Sequence, residues 1–438
     1  MVNISNLRAA TLVLALLAVP TFGPAQTVTV TADRTNGVYE AGETVHWRVN
    51  WSGGTNVPEA RYTFLKGGLR DVGNGTLIFT NGVAVAGMRL DTPGTVLFAA
   101  RWQPDGADRA RKTLGGAVAA PDRIGLSATR PADFDAFWES KLKELAAVPA
   151  NPKLERVDVG KTNLSYSKIT LDNIRGTHIQ GQIARPVAGE KFPALLIPQW
   201  AGVYPLQKGW ATDRAAEGWL VLNILAHDLP IDEPEAFYKE QAAGPLKDYW
   251  SIGNDDRETS YFLRMYLSCY RAAEYLASRP DWDGKTLVVL GGSQGGQQSL
   301  VTAGLHPKIT AALASVPAGC DMLGPDAGRK GGWPQWYSNV NPGKDAAKVR
   351  EASRYFDVAN FAPSIKCPVL VGVGLLDETC PPAGIFATMN QITSPKEIVI
   401  LPNGGHQDEN GSHGHYNRRC YSEWLPVLQQ GKPAPVQN

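Results

Sequence analysis

From residue 131 onward, short and continuously apolar runs alternate with helical or loop segments, with no internal sequence repeat. The runs are FPALLIPQW (192–200), GWLVLNIL (218–225), KTLVVLG (285–291), AALASVP (311–317), PVLVGVGLLD (368–377) and KEIVILPNG (396–404). THIQGQIARP (177–186) reads as a further strand. An apolar run without alternation is a strand covered on both faces, the signature of a parallel sheet flanked by helices. DFDAFWESKLKELAAV, YFLRMYLSCYRAAEYLASR and GGQQSLVTAGL supply helices for those faces. The pattern predicts an α/β fold, a doubly wound and mostly parallel sheet, over residues 131–433.

The preceding chain follows a different period. TVTVTADRTNGVYEAGETVHWRVNW and the segments after it are short alternating strands punctuated by Gly, Asn and Asp. They predict a small all-β, immunoglobulin-like sandwich over residues 26–110. It holds no catalytic cluster, so a packing or spacer role outweighs a sugar-binding one. Residues 111–130, rich in Gly, Ala and Pro, read as a linker. Residues 1–25 read as a signal peptide: Arg8, the apolar stretch Ala9–Val19, then the small residues Gly23 and Ala25. That stretch is too short to span a membrane, and no later segment reaches the required length. The expected location is periplasmic or secreted, in a bacterium.

Lys and Arg total 43 against 42 Asp and Glu, a formal charge of +1, which gives no electrostatic case for nucleic acid or an anionic membrane surface. The cysteines, Cys269, Cys320, Cys367, Cys380 and Cys420, show no metal-type spacing. Their number is odd, so at least one thiol stays free.

The chemistry centres on TLVVLGGSQGGQQSL (286–300), in which four glycines surround Ser293. A dinucleotide fingerprint fails because Ser293 occupies the second glycine position. A P-loop fails because Gln297 and Gln298 follow Gly296. G-x-S-x-G fits, as Gly291 to Gly295, between an apolar strand and a helix. That is the setting of a nucleophile elbow. A serine hydroxyl needs a base and an orienting acid, and on this fold they follow it in the order acid, then histidine. Asp377 ends one strand, with Glu378 beside it as the alternative. His406 follows the last strand, with His413 as the next choice. His413 and His415 with Asp408 and Glu409 suggest a polar loop rather than a metal site.

From about residue 130 to 425 the chain resembles the acetyl xylan esterase and cephalosporin C deacetylase family of α/β hydrolases. The resemblance rests on GGSQGG, SVPAGCD, YFDVANFAPSIKCPVLVGVGLLDETCPP and NGGH, and on ADFDAFWESKLKEL and SYFLRMYLSCYRAAEYLASRPDWDG. It implies Ser293 as nucleophile, Asp377 as acid and His406 as base, with no cofactor or metal. Two departures stand out. The family's usual Arg-Gly-Gln is replaced by His227, Asp228 and Leu229, and its His-Gly-Tyr by QWAGVYP. The resemblance implies a serine esterase that removes acetyl groups from acetylated carbohydrates, xylan or oligosaccharides, its substrate being an ester of a small molecule or polysaccharide. It also raises a homo-oligomer, which the added module and the changed loops leave open.

Acyl transfer to water would then run through Ser293, with the N–H groups of Gln294 and of the Gly202 to Tyr204 loop, Val203 first, receiving the oxyanion. The candidate substrate contacts are Trp200, His227 and the aromatic insertion KGGWPQWYSNVNPG, with Trp333, Trp336 and Tyr337. The insertion reads equally well as packing. A peptidase or larger-acyl esterase on the same fold, and a catalytically silent binding protein, are the alternative readings.

Overall fold

The computed structural model describes residues 26–53, 59–105, 107–337 and 340–437. The signal-peptide reading, residues 1–25, lies outside the described residues. The amino-terminal module contains β1 (Thr27–Ala32), β2 (Val38–Tyr39), β3 (Thr44–Ser52), β4 (Ala60–Lys66), β5 (Arg70–Leu77), β6 (Val83–Arg89), β7 (Gly94–Trp102) and β8 (Arg111–Ala119). They form one sheet in the order β1-β3-β6 and a second in the order β2-β8-β7-β4-β5. Alternation along β3 turns Val45, Trp47 and Val49 inward, and residues of both sheets share one buried core. At its centre Trp47 stacks on Phe98, with ring centroids 5.5 Å apart. Such an aromatic pair adds roughly 0.5–1.5 kcal/mol beyond its area burial.

β8 corrects the linker reading of residues 111–130. Residues 111–119 pair antiparallel with β7 along their whole length. The glycines that suggested slack chain mark tight packing instead: a Cβ at Gly115 would lie 2.6 Å from Trp47.

The larger unit is built on β9 (Lys153–Arg156), β10 (Leu164–Asp172), β11 (His178–Pro186), β12 (Phe192–Pro198), β13 (Leu220–Ile224), β14 (Trp282–Gly292), β15 (Ala311–Ser315), β16 (Val369–Gly374) and β17 (Lys396–Leu401). Their order is β17-β16-β15-β14-β12-β13-β11-β10-β9. From β13 to β17 the neighbours are parallel, while β11, β10 and β9 form an antiparallel edge. The chief helices in chain order are α1 (Phe134–Ala146), α2 (Lys208–Ala216), α3 (Glu235–Ala243), α4 (Tyr261–Ser278), α5 (Gln294–Leu305), α6 (Ala346–Ser353), α7 (Val358–Phe361) and α8 (Pro382–Met389).

Along β14, Leu287 and Val289 enter the core shared with α4 and α5, whereas Val288 and Leu290 enter the core shared with α2. That two-sided burial is why the strand reads as an unbroken apolar run. The C-terminal ends of β12, β14, β16 and β17 meet at one rim, where an open α/β sheet presents its site. No helix among the described residues is long and apolar enough to cross a membrane.

Candidate active site

β14 ends at Gly292 and α5 begins at Gln294, so Ser293 is the single residue at the bend. Its backbone has φ 52° and ψ −122°, a region that disfavours a side chain. Two glycines make the bend feasible. A Cβ at Gly291 would lie 2.3 Å from the Gly295 carbonyl carbon, and one at Gly295 would lie 2.7 Å from Pro198 O. The strained turn is held by Ser293 N–H donating to Ser315 O (2.9 Å), and Ser293 O accepts from Gln297 and Ala318 N–H.

Ser293 Oγ lies 3.0 Å from His406 Nε2, and His406 Nδ1 lies 2.9 Å from Asp377 Oδ2. These three sequence candidates therefore come together in the expected order. Asp377 is buried, and its Oδ1 accepts the N–H groups of Thr379 (2.8 Å) and Cys380 (2.7 Å). Those bonds fix the carboxylate and stabilise its charge. The alternative acid, Glu378, turns away to pair with Lys112. The alternative base, His413, donates from Nε2 to Gly405 O (2.9 Å), and so braces the segment next to His406.

The loop after β12 is stitched to the start of α5, with Gln298 Nε2 donating to Gln199 O (2.8 Å). Gly202 has φ 122°, and both polar groups of its peptide are used: N–H donates to Tyr249 Oη (3.3 Å) and C=O accepts from His227 Nε2 (2.9 Å). Tyr249 O–H in turn donates to Gln294 Oε1 (2.5 Å). Among the described residues, no protein acceptor meets the N–H of Val203 or of Gln294.

A sequence model of the family described as acetyl xylan esterase matches residues 126–425. The chain belongs to the acetyl xylan esterase family. It is 36% identical over 290 residues to acetyl esterase Axe7A of Xylanibacter ruminicola, covering 65% of this chain and 66% of that protein. The chain thus spans just under two thirds of that curated relative. Among solved structures it resembles acetyl xylan esterase 1 from Thermoanaerobacterium sp. JW/SL YS485, with TM-score 0.59, 22% identity and coverage of 71% of this chain and 97% of that one. It also resembles the acetyl xylan esterase from Paenibacillus sp. R4, with TM-score 0.58, 25% identity and coverage of 68% and 96%. The larger unit has the α/β-hydrolase fold.

Against that family background, two candidate contacts need correction. His227, read as a substrate contact, is 1% exposed. It follows β13 and turns inward, where Nδ1 accepts from Tyr261 O–H (2.6 Å) while Nε2 holds Gly202 O. Its role is to position the loop. Accepting at Nδ1 requires the neutral ring, and burial pushes its pKa down from 6.5 to about 4. Between those values the unfolded chain takes up a proton that the folded state refuses, so this group lowers stability as pH falls through that window. His227→Asn removes the linkage. The stability difference between wild type and variant should therefore shift against the wild type by up to about 3 kcal/mol from neutral pH to pH 4. Denaturant unfolding of both proteins across that range measures it.

Trp336 is also 1% exposed and packs on Phe262, with centroids 4.9 Å apart. It belongs to the core and offers no face to a sugar. Trp333 is half-buried between Trp250 and Phe262, and its N–H donates to Thr379 O (3.1 Å) in the acid loop. Tyr337 is half-buried with Arg350 over its ring. Trp200 is 45% exposed and forms an aromatic group with Tyr204 and Trp210. Trp200 and Trp210 border a cavity of about 360 Å³ on the α2 side of the sheet, reaching Gly291 and Gly292. No triad side chain lines that cavity.

All five cysteines are free and buried. Among the described residues, Asp377, Cys380 and His406 form the one cluster with metal-type proximity, and both ring nitrogens of its histidine already face Asp377 and Ser293. Tyr249 and Tyr261, which complete the loop support, carry no motif that marked them in the sequence.

Proposed function

We propose that this protein removes acetyl groups from acetylated carbohydrates, xylan or its oligosaccharides, through Ser293, His406 and Asp377. One observation carries the reading. In a member of this family, the 3.0 Å and 2.9 Å contacts of His406 join the strained elbow serine to a buried carboxylate. Ser293 Oγ attacks the ester carbonyl carbon and its proton passes to His406 Nε2. The N–H groups of Gln294 and Val203 receive the oxyanion, each worth about 2.7–4 kcal/mol in the transition state. Collapse breaks the bond to the sugar oxygen, which takes the proton from His406, and the acetyl group stays on Ser293. Water then attacks with His406 as base, releasing acetate.

Trp200, exposed beside the oxyanion loop, is the aromatic side chain proposed to stack on the sugar. The two-sheet module is read as an immunoglobulin-like sandwich. This reading is supported by the single core beneath both sheets. Export is proposed on the basis of Arg8 and the apolar stretch Ala9–Val19.

The test compares acetyl, butyryl and peptide chromogenic substrates, followed by acetylated xylo-oligosaccharides. The expected result is preference for acetyl esters and release of acetate from the oligosaccharides. Preference for longer acyl chains or peptides would overturn the deacetylase reading.

A further inference from the structure

We propose that the amino-terminal β-module is a positioning element of the active site, holding the segment that carries Asp377 so that its carboxylate faces His406. The inference rests on the triad reading above and assigns the module a part in it.

Three separate contacts bring the module to the acid segment, and they bracket Asp377. On β8, a Cβ at Gly116 would lie 2.6 Å from Leu375 O and 2.7 Å from Leu375 Cβ. Strand backbone therefore rests directly on loop backbone two residues before the acid. One residue after the acid, Glu378 pairs with Lys112 of β8. The turn between β4 and β5 adds a relay: Lys330 N–H donates to Gly67 O (2.9 Å), and Lys330 Nζ donates to Glu378 O (2.6 Å).

The opposite side of the same segment belongs to the histidine. Leu375 N–H donates to Leu401 O (3.1 Å) and Leu376 N–H to Gly404 O (2.9 Å). The acid segment is thus enclosed between the module and the strand and turn that deliver His406. Among the described residues, Asp377 itself bonds only to its own loop and to His406. Its aim is therefore set by what confines the loop.

The connection between the two units also lacks the slack of a tether. Ala120 is buried with φ 44°, and the turn after it is pinned to α8. Asn390, which ends that helix, donates to Pro121 O (2.8 Å) and Ile124 O (3.0 Å). The module therefore holds the acid segment itself, and its connection holds the far end of the helix that follows it.

Neighbouring glycines supply the experiment, because successive residues of a strand face opposite ways. Gly116 faces the acid segment. Gly115 faces the module interior, where a Cβ would lie 2.6 Å from Trp47 Cδ1 and Val30 Cγ1. Gly116→Ala should lower kcat by about 10–100-fold with little change in KM, the size expected when a catalytic group is displaced by about 1 Å. Gly115→Ala should lower the melting temperature and leave kcat within about 2-fold of wild type, since a strained module core does not reach the reacting atoms.

A folded Gly116→Ala protein with wild-type kcat would overturn the proposal. So would equal losses of kcat in both variants. Should Gly116→Ala fail to fold, Lys112→Glu should lower kcat several-fold at low ionic strength, and the double exchange Lys112→Glu with Glu378→Lys should restore it. No loss, or no restoration, likewise overturns it. Ser293→Ala run in parallel keeps the two readings apart. An active Ser293→Ala protein removes the triad itself, whereas an inactive one leaves the glycine comparison to decide the role of the module.

Discussion

Ser293→Ala is expected to lower kcat for acetyl-ester hydrolysis by about 10⁶-fold while leaving the fold intact. Alanine removes the Oγ that lies 3.0 Å from His406 Nε2, and no neighbouring group can take over attack. Cys380 is the nearest alternative nucleophile by position, but burial pushes its thiol well above the usual range, so the thiolate is scarce. Residual turnover would come from the oxyanion donors and substrate binding alone. Steady-state kinetics with a chromogenic acetyl ester measure the loss. Mass spectrometry of quenched protein should find an acetyl adduct on wild type and none on the variant. A variant retaining most of its activity would sink the nucleophile assignment.

Asp377→Asn carries the second large effect, about 10⁴-fold in kcat. The carboxylate accepts from His406 Nδ1–H, which leaves Nε2 unprotonated and ready to take the serine proton. An amide can donate to Nδ1 instead, trapping the tautomer in which Nε2 already carries hydrogen. The two backbone N–H groups on Oδ1 favour that outcome, because they hold the amide oxygen and leave the NH₂ facing the ring. Glu378→Gln supplies the contrast. Its carboxylate points to Lys112 and away from His406, so its loss should cost no more than the several-fold expected from breaking the Lys112 pairing. A larger effect at Glu378 than at Asp377 would reverse the assignment of the acid.

Much of this was legible from residue patterns. Strands covered on both faces have to be apolar throughout, so β12, β13, β14, β15 and β16 stood out as runs. The acid and base could be found because each follows the end of such a run. Other parts had no comparable signal. β9 and β10 lie at the antiparallel edge, where half-exposed residues such as Ser165 and Lys168 break the apolar pattern. β8 is rich in Gly and Ala because two packed surfaces approach it, and that composition imitates a linker. The inward turns of His227 and Trp336 depend on loop conformation, which periodicity does not encode. Tyr249 is 47 positions from the Gly202 it supports, and no local motif links the two.

The pairing of Lys112 with Glu378 joins positions 266 residues apart in the chain. Contacts of such separation are slow to form, because most of the chain must find its path before they close. The amino-terminal module has a buried core of its own, whose contacts span far shorter stretches of chain. The acid segment is confined only once the pairing with Lys112 closes, so recovery of activity on refolding should lag behind recovery of secondary structure.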